Sequence, residues 1–152
     1  MLKTHGFKLA KIVLWQSGLM LVASVGCGDG RPARVPVSGI VTIDGQPLEF
    51  GQVVIHAASH RPAIGKIGPD GRFTLSTYEL GDGCVPGSHA VSVSGMEILD
   101  PRTVRWHAPK KYQDANTSGL ALDVSNATDS AQITLTWDGG KPFTERVQGG
   151  GD

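Results

Sequence analysis

Short runs that alternate apolar with polar residues, each closed by turn residues, decide what this chain can fold into. A side chain buried at every second position belongs to a strand with one wet face, and a helix does not present that period. The pattern is set between Val37 and Ile55, in VSGIVTIDGQPLEFGQVVI. Val37, Gly39, Val41 and Ile43 alternate with Ser38, Ile40, Thr42 and Asp44. Asp44-Gly45 is a turn pair, Pro47 cannot continue a ladder, and Val53, Ile55 and Ala57 then resume the alternation.

The same grammar runs on. Ala63 to Ile67 reads as an edge strand, with Pro62 before it and Lys66 inside it. Pro69-Asp70-Gly71 is a hairpin turn, and after it Phe73 and Leu75 face away from Arg72, Thr74 and Ser76. Residues 78–87 form a loop with three glycines and a proline. Val91 and Val93 point inward from Ser88, Ser92 and Ser94; Leu120, Leu122 and Val124 from Ala121 and Asp123; Ile133, Leu135 and Trp137 from Gln132, Thr134 and Thr136. Residues 95–119 break the rhythm with Pro101 and Pro109, although Thr103–Trp106 could add a short strand. Residues 139–152, ending GGGD, read as a flexible tail. The sum is an all-β chain of about seven strands with no helix after its first segment. Two sheets packed face to face bury one side of each strand and wet the other, so the expected fold is an antiparallel β-sandwich over 35–138, with a closed barrel as the alternative.

The front of the chain has the layout of an export signal. Lys3, Lys8 and Lys11 make a basic start, residues 12–25 are mostly apolar, and small residues precede Cys27. The apolar stretch is too short and interrupted for a membrane span and suits a signal helix over 1–26. Ser24-Val25-Gly26-Cys27 resembles a bacterial lipobox, which implies cleavage between Gly26 and Cys27 and lipidation of Cys27, palmitate included. Several acyl chains on one residue hold a protein stably at a bilayer, where one chain does so only marginally. Residues 27–34 are then a short polar tether. This places the protein on the cell envelope as a membrane-anchored lipoprotein facing the periplasm or the cell surface, with plain secretion as the alternative. Of 14 basic and 14 acidic residues, three lysines leave with the signal, so the mature chain carries 11 against 14, a net charge of −3. That is no footprint for nucleic acid.

With these residues placed, SGIVTIDGQPLEFGQVVIH, IGPDGRFTLST and PGSHAVSVS resemble the carboxypeptidase regulatory-like domains, which share a transthyretin-like sandwich. The matching positions are Gly39, Val41, Gly45, Pro47, Leu48, Asp70, Gly71 and Phe73, with His89 where the family carries tyrosine. The layout also resembles small lipoproteins of planctomycete-type bacteria, which follow a lipobox with such a domain and a segment like PKKYQDANTSGL. The resemblance implies an accessory module that binds or scaffolds, without catalysis, and no cofactor.

Candidate chemistry is sparse. Irregular loops on a rigid sandwich are where binding residues tend to sit, and residues 95–119 carry Trp106 and Tyr112 beside Arg105. These three are the candidate binding residues, for a glycan or an envelope protein. The competing reading has both rings covering the sandwich end, with the Tyr112 hydroxyl pinning a corner. Cys84 in GDGCVPG, five residues before His89, is the only handle for a thiol-dependent enzyme; it could instead pair with Cys27 if that residue keeps its thiol. His56 and His60 have metal-ligand spacing for a helix but sit in strand-like sequence, so no metal site is expected. G-x-S-x-G and phosphate-binding glycine loops are absent.

Overall fold

A computed structural model describes residues 30–147. The signal segment, Cys27 and the start of the tether lie outside the described residues. β1 (Val37–Ile43) opens the fold, and the chain reverses at once into the two-residue β2 (Gln46–Pro47). Asp44 and Gly45 have φ of 48° and 80°, and Ile43 stands opposite Gln46. Two positive φ values in a two-residue loop make the type I′ turn whose twist matches paired strands.

β1 lies at the centre of the first sheet. On one side it pairs antiparallel with β2 and with β5 (Arg72–Thr74). On the other it pairs with β10 (Thr128–Leu135) in parallel, Val41 opposite Ile133 and Ile43 opposite Leu135. The expected all-β, mainly antiparallel sandwich is present, and this one pair departs from it by running parallel. Period-two patterning fixes which face is buried and carries no information on strand direction. Gly39 makes the approach possible: a Cβ there would lie 2.0 Å from the Ala131 carbonyl oxygen.

The second sheet runs β4 (Ala63–Ile67), β3 (Gly51–His56), β6 (Gly87–Ser94), β9 (Leu120–Val124), antiparallel throughout. β4 is its edge, as its proline and lysine predict. The Pro69-Asp70-Gly71 turn is present, but its two arms enter different sheets: β4 pairs with β3 and β5 with β1. The arms touch through an Ile64–Ser76 bridge and the turn bond from Gly68 N to the Arg72 carbonyl, 2.8 Å. This hairpin forms one side of the sandwich.

Inward residues of both sheets merge into one core: Val37, Val41, Phe73, Leu75, Ile133 and Leu135 from the first, Val53, Ile55, Val91, Val93 and Val124 from the second. These are the apolar members of the alternating runs. Ser92 departs from them, since it is buried yet sits on the opposite side of its strand from Val91 and Val93, bonded to His56 Nε2 at 2.9 Å.

Residues 95–119 are more ordered than their sequence reads. β7 (Met96–Asp100) and β8 (Thr103–Trp106) form a hairpin, followed by a 3-10 turn (Lys110–Gln113) and a single turn of helix, α1 (Ala115–Ser118). The Asp114 carboxylate caps α1 by accepting from Asn116 N at 2.8 Å. The expected tail is corrected too: Phe143–Arg146 is β11, paired with β8 to make a third sheet ordered β11-β8-β7. Phe143, Glu145 and Val147 alternate with Thr144 and Arg146, a run short enough to be hidden by its glycine-rich flanks.

The sandwich has two poles, about 20 Å apart along β1. The chain enters at the pole that holds Val37 and Thr128, where Val35 bridges to Cys84. β1 and β10 end together at the other pole, where Ser94 leads through Gly95 into the third sheet.

Candidate functional site

The far pole collects the three candidate binding residues, and it uses the two aromatic ones structurally. Trp106 is 5% exposed. Its ring stacks on Phe143 with centroids 6.3 Å apart, and its indole N–H donates to Glu145 Oε2 at 3.0 Å. Lys110 Nζ lies 4.9 Å from the Trp106 centroid and 2.5 Å from the same carboxylate oxygen. The Lys110 hydrogen bond, then that from Trp106, holds the Glu145 carboxyl below its ordinary pKa.

Tyr112 is also 5% exposed. Its hydroxyl accepts from Thr136 N at 3.1 Å and reaches back to the Thr136 carbonyl at 3.4 Å. The reading of Trp106 and Tyr112 as exposed sugar-stacking rings is thereby corrected: neither offers a free face. One turns inward because β8 alternates Val104 and Trp106 against Arg105; the other is drawn in by the 3-10 turn that packs its residues on β6.

Arg105 does face solvent, on the other side of β8. Its nearest acid is Glu97, 3.9 Å away, which also bonds His107 Nε2 at 2.7 Å. Around this polar side the same pole is unusually apolar. Met96, Ile98, Leu99, Phe143 and Val147 are all exposed, Ile98 at 69%. β7 is the outer strand of its sheet, with no partner beyond it among the described residues. Two open grooves of about 900 and 400 Å³ share Phe50, Ile64 and Lys66, and carry the apolar surface from Leu80 at one end to Met96 at the other. Single exposed apolar side chains are ordinary on a protein surface; several gathered at one pole are less so.

Cys84 belongs to the entry pole. It is a free thiol, 1% exposed, and burial raises its pKa. A nucleophilic cysteine needs the opposite, a lowered pKa and an open approach. His89 is not its base: its Nε2 is bonded to the Val85 carbonyl at 2.7 Å. His56 is exposed on β3 and His60 lies beyond the strand, and no cluster of metal-ligating side chains forms among the described residues.

The entry pole also contains a group that the sequence reading passed over. The Tyr78 ring is approached by three guanidinium carbons, those of Arg31 and Arg34 at 4.8 Å and Arg61 at 5.5 Å from its centroid. The signal was in plain view, since Arg-Pro-Ala occurs at 31–33 and again at 61–63. Below the ring, Asp82 accepts backbone N–H bonds from Thr77, Tyr78 and Glu79 and meets Arg34 Nε at 2.8 Å. Comparison with protein families, curated proteins and solved structures finds nothing that matches this chain.

Proposed function

We propose that the mature chain is a lipid-anchored envelope protein whose β-sandwich, of the carboxypeptidase regulatory-like kind, binds or scaffolds a partner protein and performs no catalysis. One observation carries the reading. The chain enters the sandwich at one pole, and five of the exposed large apolar side chains, Met96, Ile98, Leu99, Phe143 and Val147, lie at the other, while Leu80 and Ile64 line the groove that runs back toward the entry pole. A protein tethered through Cys27 would hold its entry pole to the bilayer and present that surface outward. The three segments that resemble the family fall on β1–β3, on the end of β4 through β5, and on β6, the framework of the sandwich. Cys84 and both candidate rings are buried, which supports a binding or scaffolding role over thiol chemistry or sugar stacking at those residues.

The anchor is tested by metabolic labelling with an alkyne palmitate analogue. The native protein is expected to label and the Cys27→Ala variant to stay dark. Equal labelling of both, or of neither, refutes the anchor.

A further inference from the structure

We infer that the Arg31, Arg34, Arg61 and Tyr78 cluster is a headgroup site that takes the phosphate of an anionic phospholipid at the surface to which the chain is anchored. The inference rests on the anchor proposed above. Three guanidinium carbons share one ring, so they lie within about 10 Å of one another, inside roughly one Debye length at physiological salt. Among the described residues, two carboxylates answer them. Glu79 meets Arg31 at 3.4 Å with 75% of its own side chain exposed, and Asp82 meets Arg34 while spreading its charge over three backbone donors. Arg61 has no carboxylate partner among the described residues.

Three like charges held together with one of them unmatched are what a bound anion relieves. Guanidinium is the cation best shaped for phosphate, through paired N–H donors. Tyr78 supplies the platform, and a half-buried tyrosine is itself suited to the headgroup layer of a bilayer.

Position selects the source of the phosphate. Arg31 is four residues and Arg34 seven residues beyond Cys27. An extended chain spans at most about 3.5 Å per residue, which keeps the cluster within ~25 Å of acyl chains on Cys27. Arg61 comes from the β3–β4 connection, so the site is complete only in the folded domain. The far pole also has arginines, Arg102, Arg105 and Arg146, but they lie beyond the opposite end of the sandwich.

The test is an arginine footprint with phenylglyoxal, read by mass spectrometry, on the processed full-length protein. Vesicles of phosphatidylcholine alone are compared with vesicles that also contain phosphatidylglycerol. In the anionic vesicles Arg61 labelling is expected to fall about fivefold, the scale of one arginine engaging an anionic surface, while Arg102 labels equally in both. Equal Arg61 labelling in the two vesicle types overturns the inference. So does equal protection by inorganic phosphate with phosphatidylcholine vesicles, which would assign the site to free phosphate. Flotation of the same samples scores the anchor separately. If the protein fails to float with phosphatidylcholine the anchor is lost, and the Arg61 ratio on added anionic vesicles still decides the headgroup site.

Discussion

Replacing Tyr112 by phenylalanine removes one oxygen and leaves the ring where it is. The hydroxyl is the partner of Thr136 N at 3.1 Å and a weaker donor to the Thr136 carbonyl at 3.4 Å. Both backbone groups lie where β10 has just ended, at a half-buried position. Without the oxygen one N–H loses its protein acceptor, and water reaches the site only in part. A net loss of about 1 kcal/mol follows from one ordinary hydrogen bond, with the long contact adding little. For a domain of this size that lowers Tm by ~4 °C. With a urea m-value near 1.5 kcal/mol/M it moves the unfolding midpoint down by ~0.7 M at unchanged m. The assay is paired urea unfolding followed by far-UV circular dichroism and Trp fluorescence, with coincident transitions as the condition for using it. Tyr112→Leu serves as the contrast, because it also empties ring volume in a core position and should cost several kcal/mol. If Tyr112→Phe unfolds at the native midpoint while weakening binding of a ligand, the ring is a recognition residue and its assignment to the framework is wrong.

Two further outcomes follow from other sites. Burial pushes the Asp82 pKa up, but the N–H groups of Thr77, Tyr78 and Glu79 together with Arg34 outweigh it and leave the group below its ordinary value. Its contribution to stability is therefore complete above the unfolded carboxyl pKa, about 3.9, and is lost as pH falls through the lower folded value; Asp82→Asn should be less stable at neutral pH and lose less on acidification, and an unchanged acid-unfolding slope counts against the role. Phe143→Ser uncovers the stacked face of Trp106, so tryptophan emission should shift to the red and acrylamide quenching should rise with little change in circular dichroism; native-like emission would mean that β11 does not cover the ring.

What could be read in advance was whatever periodicity encodes. β1, β3, β5, β6, β9 and β10 all turn the apolar members of their alternating runs toward the shared core, with Ile43, Leu120 and Leu122 only partly buried at its margin. The third sheet was illegible for the complementary reason. β7 leaves Met96, Ile98, Leu99 and Asp100 exposed, so MEILD has no buried phase for a pattern to mark. Strand β11 exists only because β8 offers it an edge, a fact about residues some forty positions away. The parallel pairing of β1 with β10 is likewise a property of topology and not of either segment. Trp106 stands out in the sequence, but a large aromatic in an irregular segment serves a ligand or a core equally well. Only Phe143, Glu145 and Lys110 decide between them.

The proposed binding surfaces sit where the alternating pattern stops. Every residue of the two large sheets that obeys the alternation is committed to the core or to wetting the outer face. The residues left over are the arginines that close on Tyr78 at the entry pole and the apolar side chains of β7 and its neighbouring grooves. They differ in chemistry as two poles with different neighbours should. Charge and a half-wet aromatic suit a headgroup layer, which is polar and anionic, whereas Ile98 and Leu99 suit the dry face of another protein. If the protein were anchored the other way up, the arginines would face open solvent and the apolar hairpin would meet the bilayer. With the anchor proposed at Cys27, the eight residues up to the Val35–Cys84 bridge reach at most ~28 Å against the ~20 Å of β1, so the far pole would meet the bilayer only with that segment drawn out along the whole sandwich.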